Sequence, residues 1–236
     1  AAAFAELEQV EGLLSIYRPE SQLSQLNRNG RLDAPHPYLV EVLRQAAEVS
    51  QRSGGAFDVS VQPLWKLCDE AHRAGRAPSH AELTAARSRI NWRGVVVESD
   101  RIRLAPRAAI TLNGIAQGFA MDRVLETLKS HGIERALIDS GELGSLGQKD
   151  AGSPWKVGIQ HPRHEEAYIA LASLDGRSLA TSGDYATSFS ADHSMNHLFD
   201  PRTGRSPMRL SSVSVVAPPG MLADALSTAV FVMGPQ

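Results

Sequence analysis

The sequence predicts an α+β fold: one compact domain over residues 1–236, with a mixed sheet and flanking helices. Three observations predict it. Apolar residues recur at helical spacing in five separate segments, and period-two alternation marks several others. The two kinds interleave without a regular strand–helix–strand repeat, which argues against parallel winding. The chain of 236 residues, 42% hydrophobic and 21% charged, has the size and composition to bury a substantial core.

In order along the chain, Phe4, Leu7, Val10, Leu13, Leu14 and Tyr17 give residues 3–17 a helical period that Pro19 stops. Ser21 to Asn27 reads as a short capped turn leading to the loop at Asn29-Gly30. A second helix runs from about Tyr38 to Ser53, closed by Gly54-Gly55. Residues 79–88 form a third, with Ser79 and Glu82 spaced as a capping box. Val95-Val96-Val97-Glu98 and Arg101-Ile102-Arg103-Leu104 flank Ser99-Asp100 as a hairpin. Helix returns over 115–131. Strands follow at Ala136–Ser140, Trp155–Ile159, Tyr168–Ala172, Ser178–Ser182 and Ser212–Val216, and an apolar helix closes the chain over 223–234.

Composition narrows the function classes. The net charge of −2 with interspersed signs leaves no electrostatic footprint for nucleic acid. No apolar run approaches the roughly 20 residues that span a bilayer, so no transmembrane segment is expected in this chain. The single cysteine, Cys68, cannot form an intramolecular disulfide or a thiolate cluster, and its apolar surroundings make it a core thiol. So few cysteines suit cytoplasm and periplasm equally. Ala1-Ala2-Ala3-Phe4 leads straight into a charged helical pattern with no signal peptide, a start that a processed chain also has.

The chemistry-bearing residues lie in the last helix and in five loops. Asp224 and Thr228 are four residues apart, on one face of a helix otherwise made of Ala, Leu, Val, Phe and Met. Two readings are open: a carboxylate favoured by the dipole of its own helix, or an oxygen pair for a hard cation such as magnesium. Gly54-Gly55-Ala56-Phe57-Asp58 combines close backbone approach with a ring and an acceptor. In Thr111-Leu112-Asn113-Gly114, a strand end runs directly into a helix, whose free N–H groups are expected to face a phosphate. This stretch lacks G-x-G-x-x-G and the P-loop lysine, so nicotinamide and triphosphate motifs are not supported. Asp139 to Gly147 reads as a glycine-rich turn, and Thr181-Ser182-Gly183-Asp184-Tyr185 leaves another strand. In Asn196 to Gly204, His197 and Asp200 flank an apolar pair. The pairs His161/His164 and His193/His197 lack the H-E-x-x-H context of zinc sites.

Taken in order, Ser15-Ile16-Tyr17-Arg18-Pro19, Gly55-Ala56-Phe57-Asp58, Gly114-Ile115-Ala116-Gln117-Gly118-Phe119, Ser182-Gly183-Asp184-Tyr185, His197-Leu198-Phe199-Asp200-Pro201 and Asp224 to Ala229 resemble the ApbE family of FAD:protein FMN transferases. The resemblance covers nearly the whole chain. It implies an ApbE-like, T-fold-related architecture and a magnesium-dependent reaction, with manganese the alternative metal. FMN passes from FAD to a threonine or serine hydroxyl of an acceptor protein, and AMP leaves. It further implies Asp224, Thr228 and the Ala116 carbonyl as metal ligands, and His197 with Asp200 as the catalytic pair. Ser15, Ala56, Phe57, Asp58, Asn113, Gly114, Phe119 and Leu198 fall at flavin-dinucleotide contacts. A periplasmic or exported, membrane-anchored location is implied as well.

The chain departs from the family pattern at Thr111 and Gln117, where the family often has Asp and Lys. The family's opening strand with its Met-Gly-Thr element is absent before Ala1, and its strands after the last helix are absent, so a sheet lacking terminal strands is expected. Two other functions fit the same phosphate chemistry: an FAD pyrophosphatase giving FMN and AMP, and a non-catalytic FAD-binding or delivery protein.

Overall fold

A computed structural model describes residues 1–235. The chain opens with three helices, α1 (Ala2–Leu14), α2 (Gln22–Asn29) and α3 (Pro37–Arg52), with the short strand β1 (Arg31–Asp33) between the last two. The segment expected as a capped turn after Pro19 is the two-turn helix α2. Ser21 caps it by accepting the Ser24 N–H, and Gly30, left-handed, ends it. The first helix stops at Leu14, earlier than Pro19, because Ser15 turns extended. A 3-10 turn (Val59–Val61) then leads into α4 (Gln62–Arg73), followed by α5 (His80–Arg87) with its capping box formed.

The hairpin β2 (Val95–Val97) and β3 (Arg101–Leu104) forms as expected and pairs with β1 in the order β1-β3-β2. After α6 (Ala116–Ser130) come β4 (Ala136–Asp139), β5 (Leu143–Leu146), β6 (Trp155–His161), β7 (His164–Leu174), β8 (Ser178–Gly183), β9 (Ser212–Ala217) and finally α7 (Gly220–Met233). The glycine-rich stretch after Asp139 is therefore a hairpin, and Leu143–Leu146 returns as its second strand.

β4-β5-β8-β9 form a four-stranded sheet and β6-β7 a long ribbon. Every strand pairing among the described residues is antiparallel, so the sheets are not mixed. The α+β expectation holds, because hairpins and long returns replace crossovers.

The central strand β8 is buried on both faces, and its alternation decides what each face meets. Leu179 points toward the β6-β7 ribbon with Val157, Ala172 and Leu174. Ala180 points the other way, against Ala223 of α7. The main core lies beyond that helix. Leu23, Leu26, Leu39, Val42, Ile102, Ile110, Phe119 and Ala225 bring α1, α2, α3, α6, α7 and the three-stranded sheet together. A second cluster joins α4 and α5 to Phe189 and Phe199.

Candidate active site

Where these layers meet, a cleft of about 900 Å³, open mouth included, is lined by segments from distant parts of the chain. One wall is Ala56-Phe57-Asp58, which Gly54 and Gly55 place by turning through left-handed conformations (φ +61° and +83°) at the end of α3. Trp65 extends this wall and meets Tyr17 and Phe189 edge-on. The floor is Thr111 to Gly114. It is held in place because Asn27 of α2 makes a double hydrogen bond with the Ile110 backbone, both at 2.8 Å, and the Thr111 N–H donates to the Val59 carbonyl.

The deepest corner is built from oxygen. Asp224 is buried on α7, and its Oδ2 accepts the Gly118 N–H at 3.0 Å. The N–H groups expected to be free for a phosphate at the start of α6 are therefore partly taken. The Ala116 N–H donates to the Leu112 carbonyl and the Gly118 N–H to Asp224. The anion at this helix end is the protein's own carboxylate, and the dipole that favours Asp224 is that of α6, not of its own helix.

Burial pushes the Asp224 carboxyl up to about 7, against the pull of the Gly118 and Gln117 N–H groups. Glu142, also buried and on the same cleft, is pushed up to about 8 by burial and by the charge of Asp224. No lysine or arginine acts on either carboxyl.

Beside them a chain of hydroxyls runs from β8 to α7. The Ser227 hydroxyl donates to the Asp224 carbonyl at 2.8 Å. With that proton committed, Ser182 donates to Ser227 (2.8 Å) and Thr228 donates to Ser182 (3.1 Å). Thr228 Oγ1 thus keeps its lone pairs. It also sits 2.9 Å from where a Cβ on Gly114 would lie. Two unpaired buried carboxylates and a hydroxyl oxygen make a donor set that fits a hard divalent cation such as magnesium. Ala116 opens α6 between Gly114 and Gly118, beside this corner.

His197 lines the same cleft. Its ring Nδ1 lies 3.1 Å from the Thr187 carbonyl, which can only accept, so Nδ1 bears the proton. Nε2 is then an unprotonated acceptor. Burial lowers the pKa of this histidine, opposed by the Thr187 carbonyl and by the charge of Asp184. His197 is therefore neutral at pH 7.

Several expected residues lie elsewhere. Asp200 does not partner His197: its carboxylate grips Arg202 through both oxygens at 2.8 and 2.9 Å and closes the Pro201–Gly204 turn. The aspartate that acts on His197 is Asp184. Phe119 is a core ring, edge-on to Tyr38, away from the cleft. Ser15 organises the turn after α1, its Oγ accepting the Tyr17 N–H. Asp58 lines the cleft, yet both its oxygens are engaged, Oδ1 by Ser60 and Oδ2 by the Trp92 N–H. Asn113, Gly114 and Leu198 also line the cleft.

Sequence reasoning missed Glu142, Ser182 and Trp65. The glycines around Glu142 and the Ser182-Gly183-Asp184 loop were signals of a site. Nothing in the sequence marked Trp65.

Comparison with known proteins gives a consistent picture. The model of the ApbE family matches residues 1–236. The FAD:protein FMN transferase of Haemophilus influenzae is 30% identical over 246 residues, covering 98% of this chain and 71% of that protein. The one from Vibrio cholerae is 32% identical over 244 residues, covering 98% and 72%. Among solved structures, the flavinyl transferase ApbE of Pseudomonas stutzeri, in its apo form, superposes with a TM-score of 0.85 at 32% identity, covering 99% of this chain and 75% of that one. An ApbE protein from Thermotoga maritima superposes at 0.91 with 27% identity, covering 98% and 77%.

Proposed function

Because the chain belongs to the ApbE family, we propose that it transfers the FMN part of FAD to a hydroxyl of an acceptor protein and releases AMP. It is an enzyme of the FAD:protein FMN transferase type. The observation that carries the reading is the cleft itself. A neutral histidine with a free Nε2 lines it, and an uncompensated oxygen-rich corner lies at its depth.

Asp224, Thr228 and the Ala116 carbonyl, with Glu142 beside them, would hold magnesium, which neutralises pyrophosphate charge when bound. Ala56, Phe57, Asn113 and Gly114 hold the dinucleotide along the cleft. His197 Nε2 takes the proton of the acceptor threonine or serine. The hydroxyl oxygen then forms a bond to the phosphorus on the flavin side, and the bond from that phosphorus to the bridging oxygen breaks. AMP departs with the bridging oxygen, and FMN stays on the acceptor as a phosphoester. Asp200 closes the Pro201–Gly204 turn that follows His197 and takes no part in proton transfer. The Thr111 and Gln117 departures leave the oxygen corner intact. An exported location follows from the same family reading.

General-base help is worth about 10²–10⁴-fold. His197→Ala is expected to keep FAD binding and lose about that factor in FMN transfer to an acceptor peptide, read by mass spectrometry. Wild-type transfer by this variant removes His197 from the mechanism. Free FMN and AMP with unmodified peptide would make the protein a pyrophosphatase instead.

A further inference from the structure

The tip of the β6-β7 hairpin reaches across to the loop beside His197. Arg163, in the turn between the two strands, forms a two-pronged ion pair with Asp184, Nη1 to Oδ1 and Nη2 to Oδ2, both at 2.7 Å. Its Nη2 also donates to the Ser211 hydroxyl at 3.2 Å. Asp184 is almost fully buried, and its N–H donates to the Ser211 carbonyl, so both ends of the residue are fixed. Three residues on, the Thr187 carbonyl accepts the His197 backbone N–H at 3.0 Å and its ring Nδ1–H at 3.1 Å. Gly183, Ala186 and His197 line the cleft together.

We propose that Arg163 is a positioning residue for His197. Its grip on Asp184 fixes the loop whose Thr187 carbonyl sets the histidine ring, and it is the ion-pair partner of the carboxylate on that loop.

Planar, bidentate pairing is what arginine provides and lysine does not, so this contact fixes orientation as well as charge. The other charged groups around His197 are accounted for. Asp200 and Arg202, on its own segment, pair with each other. Asp192, on the preceding loop, is held by Ser190 and Ser194. Asp58, Glu142 and Asp224 line the same cleft, and the charge of Asp184 favours the protonated ring against burial.

The inference rests on His197 being the proton acceptor, and the test separates the two ideas. The ionisation of the His197 imidazole is followed by NMR in the full chain, the resonance being assigned with His197→Gln, and the pH–rate profile of FMN transfer is measured alongside. Arg163→Gln leaves Asp184 uncompensated, so the His197 midpoint rises. At pH 6 its transfer rate falls about threefold or more relative to its own plateau at pH 8.5. Asp184→Asn leaves the arginine unopposed and moves the midpoint down. The double variant returns toward wild type.

A merely structural hairpin contact lowers the melting temperature of both single variants without moving the midpoints in opposite directions, and that outcome overturns the proposal. Arg163→Lys, which keeps the charge without the fork, holds the midpoint near wild type but transfers more slowly. Full activity in this variant overturns the positioning half. If the midpoints move as expected while the rate profile does not, the coupling stands and His197 is not the base.

Discussion

Asp224 accepts the Gly118 N–H and, in the proposed mechanism, also faces the metal, and substitution chemistry separates these two tasks. Asparagine keeps the size and an oxygen acceptor for the helix end but removes the charge. Asp224→Asn is therefore expected to abolish the magnesium dependence of FMN transfer and reduce the rate at least 10²-fold. Its metal-free melting temperature should stay within a few degrees of wild type. Asp224→Ala also loses the helix-end acceptor, which costs about 1 kcal/mol more. Magnesium titrations of activity, with melts in EDTA, read both, and an unchanged magnesium response in the asparagine variant removes Asp224 from the metal site.

At His197 the sign of the pH effect follows from burial. The folded pKa lies below the usual 6.5, so the unfolded chain binds more protons as pH falls below that value, and stability declines with acid there. His197→Gln should flatten this slope in denaturation measured at pH 5, 6 and 7. At Cys68, burial pushes the thiol up to about 11. Iodoacetamide at pH 8 should leave it unmodified until guanidinium unfolds the chain. Which acid accompanies His197 was not legible in the sequence: Asp200 is nearer along the chain, but its turn points it at Arg202.

The helices α6 and α7 cap each other. Neither has a side-chain cap of its own at the start. Asp122 of α6 accepts the Gly220 and Met221 N–H groups at 2.6 and 2.8 Å, and Asp224 of α7 accepts the Gly118 N–H in return. The exchange requires close contact at two glycines. A Cβ on Gly118 would lie 2.1 Å from the Gly220 carbonyl oxygen. Gly118→Ala should destabilise by about 1–3 kcal/mol by forcing the helices apart. Asp122→Ala should cost about 1–2 kcal/mol and weaken magnesium response as well, because α7 carries Asp224 and Thr228. Urea denaturation with magnesium titration checks both, and an Asp122→Ala protein of wild-type stability overturns the reciprocal capping.

Both helices are legible in the sequence, whereas α4 is absent from the sequence expectations, although Pro63 in its first turn and Leu64, Cys68 and Ala71 along one face carry the pattern. β5 was hidden because its glycine and serine, buried against Met121 and the Arg177 turn, have no strand-like alternation.

Across the whole molecule, the cleft draws on the loop after α3, the floor before α6, the turn before β5, the end of β8, the His197 segment and α7. A ligand lying along it joins these segments, so binding should stabilise them together. On the proposed function, FAD with magnesium is expected to raise the melting temperature more than either alone, and FMN less than FAD, since FMN lacks the adenylate half. Equal affinity for FMN and FAD by calorimetry would overturn this account of the cleft. No helix among the described residues is long and apolar enough to cross a membrane.

The sequence by itself determined the α+β class, most helices and strands, and the loops that meet at the cleft. Each of these is written in local terms: periodicity, caps, glycines and the i, i+4 pair on α7. The tertiary structure alone decided that Glu142 faces Asp224, that Asp184 rather than Asp200 acts on His197, and that Arg163 holds Asp184. It also decided that the start of α6 is taken by a carboxylate. The physical reason is the same in each case. These contacts join residues 13 to 106 positions apart, and their energies depend on burial and distance that no local pattern encodes.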